Sequence, residues 1–263
     1  MRCVFCKECS DSSRSVEHIM PEALGNKNHT LPPGWVCDNC NNYFAREVEK
    51  PFLDTLYGRS SRFSMSVANK KGRIPTVLGL HLQSRLTVEI AKNDDGLSFG
   101  AFLAKDEARW VASVRSEASG SILIPALETP DLGRITARFI GKVGMEILTQ
   151  RCLDVPGWND ELVDKTALDE LRRYVRMGQP ATLWPVHMRR LYAPDQTFAS
   201  NADGQYEVLH EWNMLFVPPS EYYAVIAVFG IEYAINLGGP SMDGYTRWLV
   251  EYRGSSPLYP HET

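Results

Sequence analysis

Five of the six cysteines, a Glu-His pair and an asparagine carry most of the reactive chemistry in this sequence, and all of them fall within its first 41 positions. Cys3-x2-Cys6 and Cys37-x2-Cys40 are two CxxC pairs. Each such pair folds into a tight knuckle that turns two sulfurs toward one centre, and four soft thiolates in tetrahedral array are the ligand set of a structural Zn²⁺. Cys6-x2-Cys9 is also a CxxC, so Cys9 competes with Cys3 for membership. The apolar Val4-Phe5 between Cys3 and Cys6 suits a buried knuckle and favours the Cys3–Cys6 pair. Thirty residues separate Cys6 from Cys37, more than a simple zinc ribbon uses, so a functional segment is inserted between the knuckles. That insert contains Val16-Glu17-His18-Ile19-Met20-Pro21, and Asn41 follows the second knuckle directly. An imidazole beside a carboxylate is a proton acceptor suited to neutral pH.

The order CxxC, acid-His-hydrophobe-x-Pro, CxxC-Asn resembles the zinc-stapled branch of the HNH endonucleases, whose ββα-metal fold is a hairpin followed by a helix. The resemblance spans residues 3 to about 50. It implies that Glu17 binds a catalytic divalent ion, Mg²⁺ or Mn²⁺, that His18 is the general base, and that Asn41 at the start of the helix is the second metal ligand. The family's middle position, an Asn or His that braces the loop between the hairpin strands, is assigned to Asn28, with Asn26 and His29 as adjacent candidates. Two features depart from the common pattern: Glu17 stands where many relatives carry Asp, and Phe44 where many carry Lys. Arg46, close by on the same helix, is expected to supply the missing phosphate contact.

The chemistry this implies has its own physical logic. Hydrolysing a phosphodiester requires a nucleophilic water, charge stabilisation on the phosphate and help for the leaving 3′ oxygen. A histidine can take the proton from water. A hard cation held by one carboxylate and one amide oxygen keeps exchangeable positions for phosphate. Asn41 is also a good helix cap, a role compatible with metal binding. Trp35 reads as a turn residue packed over the zinc site. His81, His187, His210 and His261 lack ligand-like neighbours at recognisable spacing and read as structural, and Cys152 reads as a core residue.

Positioning these groups demands a small module stapled by metal rather than by a large core. From Asn41 to Tyr57 the apolar residues Tyr43, Phe44, Val48, Phe52 and Leu56 recur at helical spacing, with Pro51 starting a second piece of helix. The module is placed at residues 1–58, a basic linker or loop at 59–80, and an α+β domain at 81–263. In that domain, Leu86 to Ile90 and Ser121 to Ile124 read as strands, Asp131 to Cys152 as a strong helix, and a further helix capped near Asn159 or Asp160 ends at Gly178. Alternation from Tyr206 to Phe216, continued through Tyr222 to Leu237 and Tyr245 to Tyr252, predicts a mostly antiparallel sheet beside two helices.

The net charge of −4 argues against a protein that merely coats nucleic acid. Its distribution is uneven, +3 over residues 1–76 and −7 over residues 77–263. No acid lies between Asp54 and Glu89, whereas Arg59, Arg62, Lys70, Lys71, Arg73 and Arg85 do. Lys70, Lys71 and Arg73, with Arg46, are the expected phosphate contacts, DNA being the expected partner and RNA an open alternative. No apolar run approaches the ~18 residues that cross a bilayer, and paired cysteines read as metal ligands imply a reducing, cytoplasmic setting. A restriction or antiviral defence role follows from the resemblance alone, as does a homodimer for cutting both strands. The competing readings are a non-catalytic zinc module that binds nucleic acid or protein, and an effector nuclease gated by its C-terminal domain.

Overall fold

The computed structural model describes residues 1–93, 95–116, 120–125, 129–193, 196–200 and 204–259; His261 lies outside them. The fold is α+β with antiparallel sheets. Two compact units share the chain: Met1–Leu53 with Asp131–Thr263, and Asp54–Pro130. This division differs from the expected succession of 1–58, 59–80 and 81–263. The N-terminal module packs with the chain beyond residue 130 as one body.

Within residues 1–53, β1 (Glu17–His18) pairs antiparallel with β2 (Thr30–Leu31), joining Glu17 to Leu31 and His18 to Thr30. A 3₁₀ turn at Glu22–Leu24 follows β1 and ends on Gly25, whose left-handed φ of 89° suits glycine. A side chain there would also strike Leu209. Then α1 (Asp38–Phe44) runs through a π turn at Ala45–Glu49 into α2 (Lys50–Leu53). Pro51 has no N–H for an α-helical ladder, and the wider π turn just ahead of it accommodates the loss. Phe44, Val48 and Phe52 form the buried stripe, as their spacing requires, but Leu56 is exposed and belongs to a new helix.

The second unit contains α3 (Leu56–Ser64), β3 (Val77–His81), β4 (Leu86–Asn93), β5 (Gly96–Ala101), α4 (Glu107–Ser116) and β6 (Ile122–Leu123). Its strands order β5-β4-β3-β6, all antiparallel, over a core of Phe63, Val77, Leu86, Val88, Ile90 and Trp110. Residues 59–80 are therefore more than a linker. Thr55 caps α3 by accepting from the Gly58 amide, and Phe63 and Val77 are apolar anchors in a mostly polar stretch. His81 is buried beside Trp110 and bonds Ser84 through Nδ1 at 2.8 Å.

The chain re-enters the first unit through α5 (Arg134–Arg151), then α6 (Trp158–Asp164), α7 (Asp169–Met177), β7 (Val186–Arg190), the hairpin β8 (Thr197–Ser200) and β9 (Gly204–Glu207), β10 (His210–Val217), β11 (Glu221–Val228), β12 (Ile231–Asn236) and α8 (Asp243–Glu251). The sheet order is β10-β11-β12-β7, antiparallel throughout. A helix that is buried on nearly every side must lie between layers, and α5 does: it packs on β11 and α7 on one side and on the π turn, α2 and β2 on the other. Phe139 stacks on Phe52 with ring centroids 4.0 Å apart. The single helix expected to end at Gly178 is interrupted by a 3₁₀ turn at Thr166–Leu168, although Gly178 does close α7 with φ 66°. Tyr245 to Tyr252, expected as strand, forms α8 instead: Tyr245, Trp248 and Tyr252 are spaced three and four apart, the helical period, and stack along one face. Glu232, fully buried, ties this end together by accepting from Arg189, Tyr245 and Ser256.

His210 on β10 stacks on Trp212. Burial, and then the nearby His29, push its imidazole down to about 4, with a backbone contact at Leu24 opposing. The folded chain thus binds this proton less readily than the unfolded chain. Stability held above about pH 6.5 is lost as pH falls toward 4. His210→Phe is expected to abolish up to about 3 kcal/mol of that decline, read as a flatter dependence of Tm on pH between 7 and 4. An unaltered slope would assign the acid sensitivity to other groups.

Candidate active site

The sulfurs of Cys3, Cys6, Cys37 and Cys40 all lie within 4.8 Å of one another. Zn–S bonds of about 2.3 Å in a tetrahedron place sulfurs roughly 3.8 Å apart, and Cys6 and Cys37 stand 3.6 Å apart. The backbone prepares the site: the Cys37 amide donates to Cys3 Sγ at 3.3 Å and the Cys40 amide to Cys37 Sγ at 3.4 Å, the latter also capping α1. Hydrogen bonds from Cys40 and Cys6 hold the Cys3 thiol down to about 2, while the bond to Cys3 pushes Cys6 up to about 11 and Cys40 higher still. The sulfurs of Cys3, Cys6 and Cys40 act on one another's charge, and a divalent cation at the centre of the cluster would favour the thiolate forms. The donor set and its geometry therefore fit zinc. Cys9 is outside the cluster, exposed, with its sulfur 3.4 Å from Asp11. Trp35 is buried, and its carbonyl accepts from the Val4 amide of the first knuckle.

The knuckles are clamped from below. Arg172 of α7, 3% exposed, donates to the Val4 carbonyl at 2.7 Å and to Asp169 at 2.6 Å. Asn159 of α6 exchanges two 3.0 Å hydrogen bonds with the Arg2 backbone. Such contacts hold the first knuckle against α6 and α7.

In a strand, neighbouring side chains point to opposite faces, so Glu17 and His18 separate. Glu17 turns inward: 3% exposed, it meets the Lys142 ammonium at 2.6 Å through Oε1. Its Oε2 is buried and meets no conventional hydrogen-bond donor among the described residues, with the Glu146 carboxyl close enough to act on Glu17. Burial raises the Glu17 carboxyl above its ordinary range, and Lys142 works against that shift. His18 turns toward the 3₁₀ turn, its Nε2 2.9 Å from Glu22, with Nδ1 buried and unpartnered among the described residues. Asn41 reaches back across the hairpin, its Nδ2 3.4 Å from the Val16 carbonyl, which leaves Oδ1 beside the residue that precedes Glu17. The hairpin, the helix and the four-sulfur cluster are thus in one assembly.

Residues 3–57 match the HNH endonuclease family. No curated protein and no solved structure matches the chain.

In the segment that matches the family, the side chain that ties the loop together is that of Asn26. Asn26 is 1% exposed and uses its whole amide: Nδ2 donates to the Met20 and His29 carbonyls at 2.7 and 2.8 Å, and Oδ1 accepts from the Asn28 and His29 amides. Asn28 is exposed and contributes only its backbone to this network, while the His29 ring packs on Trp212 at 4.8 Å. Spacing alone could not separate three adjacent candidates; burial does. Asn26→Ala would strand two carbonyls and two amides in the loop, and about 3 kcal/mol of destabilisation is expected from their lost partners. Asn28→Ala is expected to fall within ~0.5 kcal/mol. Equal unfolding midpoints in a urea titration would refute the assignment.

Phe44 packs edge-on against Phe5 at 4.5 Å and is fully buried, which explains its departure from Lys: it serves the core. Arg46 is exposed on the π turn. Lys70, Lys71 and Arg73 are exposed on a turn of the second unit, where Asn69 Oδ1 accepts from the Lys71 and Arg73 amides at 2.9 and 3.1 Å. Arg62 is 7% exposed and leaves the basic surface, and Arg59 lies 3.6 Å from Asp54. Three residues of the site had no signature in the linear pattern: Lys142 and Glu146 on α5 and Glu49 on the π turn. The only trace was a Lys–Glu pair four apart inside an apolar stripe, which ordinarily marks an exposed helix face.

Proposed function

We propose that this protein is a nuclease that hydrolyses phosphodiester bonds, with DNA as substrate, using His18 as general base and the four-cysteine zinc as a structural staple. The observation that carries the reading is the unpartnered Nδ1 of His18. With Glu22 at Nε2, the ring is held in the tautomer that donates from Nε2 and leaves the Nδ1 lone pair to accept a proton. Exposure of the buried Nδ1 on substrate binding would let it take a proton from a water and generate the nucleophile, with Glu22 stabilising the imidazolium that results. Glu17 Oε2 and the Asn41 amide oxygen would hold a divalent ion. Mg²⁺ or Mn²⁺, when bound, supplies positive charge to the scissile phosphate and the leaving oxygen. Arg46 and the Lys70–Lys71–Arg73 turn are assigned to phosphate contacts, with Asn26 rather than Asn28 as the brace. Action in the cytoplasm, a part in defence against foreign DNA, and double-strand cleavage by a homodimer extend the same reading.

One feature favours a second reading, a non-catalytic zinc module: Glu17 Oε1 is already committed to Lys142, and the Asn41 amide to Val16. Incubating the zinc-loaded chain with supercoiled plasmid, linear duplex and single-stranded RNA, with and without Mg²⁺ or Mn²⁺, separates the two. Conversion to nicked circles that requires the added ion supports the nuclease. Intact substrates under every condition, with the plasmid retarded on a gel, would establish the binding module instead.

A further inference from the structure

Lys142 is 0% exposed in the middle of α5, surrounded along the helix by Phe139, Ile140, Val143, Met145 and Ile147, all fully buried. Packing gives no reason for an ammonium there, and burying one costs several kcal/mol unless it is fully paired. Its pairing reaches out of the helix. Nζ lies 2.6 Å from Glu17 of β1, 2.6 Å from Glu49 of the π turn and 2.8 Å from Glu146 one turn along α5, and it donates to the His18 carbonyl at 3.1 Å.

We propose that Lys142 is the positioning residue of the HNH module, fixing at one atom the carboxylate of Glu17, the peptide that carries His18 and the helix that carries Asn41. The inference rests on the nuclease reading for its catalytic consequence, though not for its geometry. The residues that would act all belong to the matched segment, 3–57, but β1 is only two residues long and is held by a two-stranded pairing that is weak by itself. Lys142 supplies the missing rigidity. It satisfies Oε1 of Glu17 and leaves Oε2 directed elsewhere, and its bond to the His18 carbonyl fixes the backbone from which the imidazole projects. The ammonium also separates three carboxylates that would otherwise repel one another and drive β1 from the π turn. Residues beyond 130 are on this view a working part of the module.

The test uses the full chain and two variants, Lys142→Met and the double variant Lys142→Met with Glu146→Gln, the second replacing a fully buried carboxyl that would otherwise lose its ammonium partner, so that the fold survives. Zinc content and circular dichroism identify the folded, zinc-loaded form. Amide exchange read by mass spectrometry over residues 16–31, and kcat and KM for plasmid nicking measured separately, are the readouts. In the folded variant, exchange over 16–31 is expected to rise at least about tenfold while β11 and β12 stay protected, with kcat down about 100-fold and KM within about threefold. Unchanged exchange over 16–31 overturns the positioning role. So does faster exchange with an unchanged kcat in a wild type that cuts. If the wild type fails to cut and the exchange still rises selectively, the nuclease reading falls and the positioning of β1 by Lys142 stands.

Discussion

Replacing His18 by alanine is expected to slow plasmid nicking by roughly 10²–10⁴-fold while leaving plasmid binding intact. The imidazole has one ring nitrogen, Nδ1, with no partner among the described residues and a carboxylate 2.9 Å from the opposite nitrogen at Glu22. The structural cost is small: the side chain is 21% exposed, and the backbone contacts of His18, to Thr30 across the hairpin and to Lys142, survive truncation. A change in kcat with zinc content, Tm and the midpoint of a binding titration all preserved is therefore the expected pattern. Removal of a purely structural histidine would give the converse, a lower Tm with an undiminished rate per folded molecule. Equal rates for His18→Ala and wild type would end the general-base assignment.

Losing one sulfur of the staple is expected to have the largest effect on stability. Structural zinc in small modules contributes about 10–16 kcal/mol, comparable with or greater than the whole stability of an ordinary domain, about 5–15 kcal/mol. Cys37 links the cluster to the helix: its sulfur accepts from the Cys40 amide to start α1 and stands 3.6 Å from Cys6. Cys37→Ser, or extraction of the ion by a strong chelator, is expected to release β1, β2 and the start of α1 and to lower the Tm of that unit by roughly 10 °C or more. The 54–130 unit has a core of its own in Phe63, Val88, Ile90 and Trp110 and should keep its exchange protection. Cys9→Ser is the matched control: with its sulfur at Asp11, outside the cluster, it should alter neither zinc content nor Tm. A Cys37→Ser protein that retains one zinc per chain and melts with wild type would remove the staple from the account.

Several features of the molecule were readable from residue order because short-range chemistry specifies them. Two CxxC knuckles place four sulfurs by local turn geometry, so Cys3, Cys6, Cys37 and Cys40 could be grouped across thirty intervening residues. The apolar period of α5 and the glycine that closes α7 are likewise local signals. Aromatic content misled at Tyr245 to Tyr252, where spacing three and four apart outweighed β propensity. Around 59–80 a polar composition concealed α3 and β3, whose few apolar anchors meet partners distant in sequence.

The residues at the site divide in the same way. Resemblance to the HNH pattern marked Glu17, His18 and Asn41 as candidates, the first two between the knuckles and Asn41 directly after the second. Tertiary structure alone decided that the Asn26 side chain is buried and bonded to the Met20 and His29 carbonyls, that Arg62 is buried, and that Lys142, 125 positions beyond Glu17, meets its carboxylate at 2.6 Å. Each of these depends on which side of a strand, loop or helix is covered, and on a charge that is tolerable inside the protein only when a partner remote in the chain is brought against it.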